Sequence, residues 1–306
     1  EELALADAVN ARLIAYGEPD YPAALAAIPD PPPVFYCCGH PALFEKPAVA
    51  IVGARNASAV GRKIARTLAA DLGEEDIAVV SGLARGIDGA AHEAALECGT
   101  IAVVAGGVDV IYPPEHEELT RNIAARGVLM SERPIAYQPT ARDFPRRNRL
   151  ISGLSRGVVI VEAAVKSGTL ITARYALEQG REVFAVPGSP LDPRCQGANK
   201  LIGDGATLVQ DAQDIIDVIR AQTDGLEARG APDLFSLRED GEPAGAASQG
   251  LRHAVREALS FTPLHRDDIL RDLDEPPGLI ADALLDLVLA GEAEEHPGGR
   301  YSLIAD

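Results

Sequence analysis

Tryptophan is absent from this chain, methionine occurs once, and seven tyrosines and six phenylalanines are its whole supply of aromatic rings. A protein so poor in rings cannot hold a nucleic acid by stacking many bases in series, although one ring can still act as a wedge. Basic residues are also short, 28 against 46 acidic side chains for a net charge of −18, so the broad cationic footprint of a non-specific duplex binder is missing. The four cysteines, Cys37, Cys38, Cys98 and Cys195, form no CxxC pair and have no histidine pattern beside them, so neither a zinc site nor a disulfide frame is expected, only small thiols in a reducing compartment. No run approaches the roughly eighteen apolar residues of a membrane span, and the opening EELALADAVNARL is acidic where a signal peptide would be basic; a cytoplasmic protein with no membrane partner is expected. There is no GK[ST] phosphate loop, and the GxSxG letters of Gly153 to Gly157 come before a strand-like run, not after one as a nucleophile elbow must. His92-Glu93 and His116-Glu117 lack the second histidine of a zincin, and GARNAS stands where a nicotinamide-binding chain would have GxGxxG.

What the chain does hold is a series of short β-branched runs that end in a glycine-bearing turn. AIVGAR (Ala50 to Arg55), SGLARGIDGAAH (Ser81 to His92) and VEAAVKSGTLITA (Val161 to Ala173) each have this form, and glycine at a strand end lets the backbone turn sharply toward a phosphate. Gly53 ends the first run, with Arg55 and Ser58 at the entry to a helix, either as a phosphate grip or as a plain turn capped by Ser58. Ser81 and Gly82 end the second, ahead of Arg85 and Asp88. Asp88 and His92 lie one helical turn apart, as an acid–base pair could, but no nucleophile accompanies them; an aspartate that caps the helix or anchors Arg85, with a structural histidine, fits better. Ser167, Gly168 and Thr169 place hydroxyl and N–H groups at a third helix start, a phosphate cradle. A fourth segment, FPRRNRLISGLS (Phe144 to Ser155), gathers Phe144, Arg146, Arg147 and Asn148, a composition suited to gripping a sugar-phosphate chain and wedging one base. Arg149, next to Leu150 and Ile151, is expected to pair inside the fold with Glu132 or Glu162.

Charge is unevenly placed. Residues 1–47 carry 2 basic and 7 acidic side chains, 48–220 carry 19 and 21, and 221–306 carry 7 and 18, so the segments sum to −5, −2 and −11. Within 142–156, five arginines face only Asp143. A local basic site on an acidic protein is permitted, with weak affinity for duplex.

Residues 1–45 read as a short helix and a proline-rich connector (Ile28 to Pro33). From 46 to 221 apolar strand-like runs (Val49–Val52, Ala78–Val80, Ile101–Val104, Val128–Met130, Val158–Val161, Val183–Ala185, Thr207–Val209) alternate with helix-length amphipathic segments (Ala59–Leu72, Gly89–Glu97, Glu117–Ala125, Arg147–Leu154, Thr169–Glu178, Ala198–Ile202). That alternation predicts an α/β fold, a Rossmann-like doubly wound parallel sheet whose ligands lie outside the strands' carboxyl ends. Residues 222–248 are polar, aperiodic and rich in Gly and Pro, a linker. Residues 249–306 predict a small winged-helix-like domain of three helices and a two-strand wing turning at Pro297-Gly298-Gly299, whose acidity suits a partner-binding or regulatory role better than DNA reading.

The four motifs in this order, together with YPAALAAIPDPPPVFYCCG (Tyr21 to Gly39), TIAVVAGGVDVIYPPEHEEL (Thr100 to Leu119), SERP (Ser131 to Pro134) and FAVPGSP (Phe184 to Pro190), closely resemble the DNA-processing protein A family, also called Smf. The likeness runs from about Tyr21 to Ile216. It implies an extended Rossmann domain that binds single-stranded DNA without being an enzyme, needs no cofactor, loads the RecA recombinase in natural transformation and recombination, and works as a homodimer. It also implies a larger N-terminal helical domain in many members, where this sequence has only the short segment. A rival on the same type of sheet is a nucleoside-monophosphate phosphoribohydrolase. Those enzymes carry PGGxGTxxE, whereas here Glu162 precedes the loop and no PGG precedes Ser167.

Overall fold

A computed structural model describes residues 2–228, 249–260, 264–265, 269, 273, 277–296 and 300–304. The chain divides into two units, Glu1–Arg229 and Gly230–Asp306. In the first it runs α1 (Glu2–Ala8), β1 (Arg12–Ala15), α2 (Ala23–Ala26), β2 (Val34–Gly39), β3 (Ala48–Val52), α3 (Ala59–Glu74), β4 (Ala78–Ser81), α4 (Ile87–Ala95), β5 (Thr100–Val103), α5 (Glu117–Arg126), β6 (Val128–Ser131), α6 (Asp143–Gly153), β7 (Gly157–Ile160), α7 (Thr169–Glu178), β8 (Glu182–Ala185), α8 (Gln196–Gly203), β9 (Thr207–Leu208) and α9 (Ala212–Ala228).

Small and β-branched residues let β3 to β7 be buried along their whole length, and a strand covered on both faces belongs in a sheet wrapped by crossover helices. The nine strands lie in the order β1-β2-β6-β5-β4-β3-β7-β8-β9. Strands β3 to β9 are mutually parallel, with Ala50 opposite both Val80 and Val158. The pleat sends alternate residues to opposite faces. On one, Ala50, Val80, Val103, Met130 and Ile160 pack on Leu150, Ile151 and Leu154 around α6. On the other, Val49, Ile51, Val79 and Val159 pack on Leu68 and Leu72 of α3 and Ile87 of α4. The α3 contacts follow the helical period, Ala65, Leu68, Ala69 and Leu72, and each large aliphatic side chain so buried contributes about 1.5–3 kcal/mol.

From β3 the chain winds one way through β4, β5 and β6, then returns to the other side of β3 as β7. That reversal opens a crevice between the carboxyl ends of β3 and β7, the usual ligand position in such sheets.

Two N-terminal features correct the sequence reading. The stretch read as helix and connector also supplies β1 and β2, which extend the same sheet antiparallel beside β6. Its prolines deliver rather than detach: Tyr21, Leu25, Ile28 and Phe35 enter the core, and the Tyr21 hydroxyl donates to the Pro32 carbonyl at 2.8 Å. Helix α6 starts at Asp143, four residues before the expected Arg147, because Pro145 is tolerated in a first turn where its missing N–H has no partner to lose. At the other end α9 reaches Ala228, so the segment read as linker begins inside a helix; 229–248 lie outside the described residues.

The second unit contains α10 (Gln249–Ala258), β10 (Leu264–His265), α11 (Pro277–Leu289), β11 (Ala293–His296) and β12 (Arg300–Leu303). Val255, Leu259, Ile269, Ile280, Leu284 and Leu287 form its core. Strands β11 and β12 pair antiparallel as the expected wing, and β10 adds a third strand on β12. The turn at 297–299 and most of the expected middle helix, 265–273, lie outside the described residues. Among the described residues no helix is long and apolar enough to cross a membrane.

Candidate nucleic-acid interface

Four loops meet at the carboxyl end of the sheet: 53–58 after β3, 82–86 after β4, 104–113 after β5 and 161–168 after β7. Glycine fixes how closely they lie. Gly86 has φ +82°, and a Cβ there would stand 2.3 Å from the Ala54 carbonyl oxygen, so the first two loops interlock only because this residue has no side chain. A Cβ on Gly53 would likewise come within 2.5 Å of Ile87.

The loops and the start of α6 enclose two adjoining cavities of about 420 and 830 Å³, which share Arg55, Asn56, Ala84, Tyr112, Phe144 and Arg147. At their junction the Arg55 guanidinium lies 5.2 Å from the Phe144 ring centre, and Tyr112 stands beside that ring at 5.3 Å, tilted 52°. Arg55 is exposed, Phe144 half-buried and Tyr112 46% exposed, so the pair of rings faces the opening. The smaller cavity is closed behind them by Gly82, Val104 and Gly106; the larger runs past Asn148 to Lys166, Ser167, Gly168, Thr169 and Arg194.

The cations on this surface differ in availability. Arg85 pairs with Glu115 at 2.7 Å, which replaces the expected anchor on Asp88, and Arg194 pairs with Asp192 at 2.7 Å. Arg55 and Lys166 have no carboxylate partner among the described residues. Arg146 is exposed on α6 but lies outside both cavities, near Glu132, Arg133 and Asp143.

Arg147 behaves unlike the phosphate grip expected from sequence. Only 7% exposed, it donates from Nη1 to the Gly82 carbonyl at 2.7 Å and to that of Val103, fastening the ends of β4 and β5 from beneath the cavities. A Cβ on Gly82 would collide with its Nη2 at 2.7 Å. Burial pushes its pKa down to about 10, with the charge of Asp88 acting in the opposite sense. Asp88 accepts the N–H of Gly82 at 3.1 Å and of Ala84 at 3.4 Å; burial raises its pKa, and Arg147 and those N–H groups pull it back. His92, fully buried, meets the Thr100 hydroxyl at 2.7 Å through Nδ1, and burial pushes its pKa down to about 3. Arg147 and Asp88 are internal supports of the loops, and His92 ties α4 to the start of β5.

Two expected phosphate ligands are likewise engaged. Ser81 is buried and donates to the Ile51 carbonyl at 2.6 Å. Ser58 caps α3, accepting the Gly61 N–H at 2.8 Å, and both its hydroxyl and its N–H donate to Glu162, at 2.6 and 3.0 Å. The helix N-terminus read as a phosphate site therefore holds the protein's own carboxylate. In the 161–168 loop the Ser167 hydroxyl meets Thr169 Oγ1 at 3.0 Å and accepts the Thr169 N–H at 3.2 Å, while Thr169 Oγ1 donates to the Gly53 carbonyl at 3.0 Å. Arg149 pairs inside the fold as expected, with Glu132 at 2.6 Å and also with Asp30 at 3.2 Å.

Sequence reasoning passed over Tyr112, Asn56 and Lys166. Tyr112 had a readable signal, an aromatic residue shortly after the Gly106-Gly107 turn that follows β5, and Lys166 immediately precedes the Ser167-Gly168-Thr169 cradle.

Comparison with known proteins agrees with this architecture. The family model for DNA recombination-mediator protein A matches residues 12–220, and one for the DprA winged helix domain matches residues 239–299. Protein Smf of Escherichia coli is 38% identical over 297 residues, covering 96% of this chain and 78% of its own. The DNA processing protein DprA of Bacillus subtilis is 46% identical over 200 residues, covering 64% and 67%. The X-ray structure of DprA from Streptococcus pneumoniae superposes with a TM-score of 0.65 at 42% identity, covering 67% of this chain and 73% of that one. A structure of the Helicobacter pylori protein, described by its single-stranded DNA binding mode, gives 0.64 at 31%, covering 69% and 96%. An α/β sheet carrying these loops, followed by a winged helix domain, places the chain in the DNA recombination-mediator protein A family, to which it belongs.

Proposed function

We propose that the chain binds single-stranded DNA across the crevice at the carboxyl ends of β3, β4, β5 and β7. The observation that supports this most is the Arg55, Phe144 and Tyr112 group, a cation with no carboxylate partner among the described residues beside two open rings at the junction of two cavities. A splayed base lies against Phe144 and Tyr112, and the sugar-phosphate chain runs past Arg55 and Lys166 to the Ser167-Gly168-Thr169 loop. The Helicobacter pylori relative is described as binding single-stranded DNA, which supports the choice of ligand. Paired, stacked bases cannot enter such a recess, and the acidic remainder of the chain repels a duplex, whose affinity depends on many phosphate contacts. No catalytic step is assigned: Glu162, at the start of the 161–168 loop, is committed to Ser58, and incubation with nucleoside monophosphates is expected to release no free base.

The test is a titration of single-stranded DNA, duplex and free nucleotide, in which the single strand binds well ahead of the others. Equal affinity for strand and duplex would sink the proposal. The segment 221–306, at −11, is expected to add nothing to the binding of a polyanion, so a chain ending at Arg229 should bind at least as tightly at low salt; a large loss with the fold intact would assign the winged helix domain a DNA contact.

Handover of the strand to RecA and action as a homodimer are the finer parts of this reading, drawn from the family. Accelerated RecA filament growth on pre-bound strand and a dimeric mass by light scattering are expected. A monomer, or filaments growing no faster than on strand alone, would contradict them.

A further inference from the structure

In a doubly wound sheet the first crossover helix ordinarily points its unsatisfied N–H groups at a ligand phosphate beside the switch point. In this protein the corresponding end of α3 is closed by Glu162, which comes from the far side of that point, immediately after β7. The residue is 5% exposed and its carboxylate takes both the hydroxyl and the N–H of Ser58. The fit requires Gly61, since a Cβ there would stand 2.6 Å from the carboxylate carbon. A second tie across the same gap joins Thr169 Oγ1 to the Gly53 carbonyl at 3.0 Å. The two ties hold both ends of the segment 53–58, and the exposed residues displayed between them are Arg55, over the Phe144 ring, and its neighbour Asn56.

We propose that Glu162 is a positioning residue of the strand site: by filling the anion position at the start of α3 it fixes the 53–58 loop and so holds Arg55 where a phosphate of the bound strand passes. This rests on the strand-binding reading above. Simple electrostatics argues the opposite sign, because a carboxylate close to the path of a polyanion repels it, and neutralising that charge should tighten binding. Positioning requires it to loosen, through Arg55.

The experiment is a double-mutant cycle on the full chain, E162Q with Arg55→Ala, read by titration of a fluorescent thymidine oligonucleotide at low salt. E162Q is expected to weaken binding by about tenfold in the wild-type background, the effect of one charge-assisted tie. In the Arg55→Ala background it should change affinity by less than about twofold. E162Q binding as tightly as wild type, or more tightly, overturns the proposal. So does an equal loss in both backgrounds, which would mean that the carboxylate serves the fold and not Arg55. Should E162Q fail to fold, Ser58→Ala removes the hydroxyl end of the same tie and takes its place in the cycle with the same expected and contrary results. A wild-type chain that does not bind the oligonucleotide refutes the strand-binding reading itself, before any variant is consulted.

Discussion

Replacing Arg55 by alanine is expected to weaken binding of a short single strand by about ten- to a hundredfold while leaving the protein folded. The side chain is exposed, has no carboxylate partner among the described residues, and supports nothing in the core, so its removal leaves no buried group unsatisfied. A charge-assisted phosphate contact contributes about 1.5–3 kcal/mol, and each 1.4 kcal/mol is roughly tenfold in affinity. The contact of Arg55 with Phe144 is a smaller matter for stability, about 0.5–1 kcal/mol at an exposed position. Losing one phosphate contact should also flatten the dependence of log affinity on log salt by about 0.7. Titrations at three salt concentrations, with circular dichroism of the variant, check both parts. A folded variant with wild-type affinity and slope would show that the strand does not pass Arg55.

Arg147→Ala is expected to fail differently, as an unstable protein. Two carbonyl oxygens at the ends of β4 and β5 lose their donor, and the buried Asp88 loses the positive charge that offsets its burial. Removing one member of such a buried charged group costs about 3–5 kcal/mol, a large part of the stability of an ordinary domain. Urea unfolding is the measurement, with Arg147→Lys as the milder variant: it keeps the charge but loses the planar fork that reaches two acceptors. An Arg147→Ala protein that unfolds at the wild-type urea concentration and has merely lost affinity would restore the simpler view of Arg147 as a phosphate ligand.

These two arginines show how far the sequence could be read. Arg55 follows a strand end and Arg147 lies in the arginine-rich FPRRNR segment, and composition alone treats them as equal cations. What separates them is depth. Arg147 is the fifth residue of α6, which begins four positions earlier than its periodicity suggested, and this places it beneath Gly82. The central strands were legible because runs such as Val49–Val52 are apolar on both faces, a pattern that hardly any other arrangement than a covered parallel sheet explains. β1 and β2 were not, since RLIA is short and half-exposed and the prolines ahead of Val34 read as a connector. Ser58 and Ser81 illustrate the remaining gap. A serine at a strand end or helix start has the same sequence signal whether it faces a ligand or an internal acceptor, and only the carboxylate of Glu162, 104 residues away, decides the matter for Ser58. Phe144 was legible as a candidate residue of the site, but Tyr112 meets it from another loop, a contact made by the fold and not by spacing.

The central claim is that an acidic protein holds single strands through one small cationic and aromatic recess. Its most direct test is a side-by-side titration of a labelled thymidine oligonucleotide and a duplex of equal length, at the same moderate salt, with wild-type protein. The single strand should bind much more tightly, and free nucleotide should compete poorly. Equal binding of strand and duplex, or full competition by mononucleotide, would contradict the account.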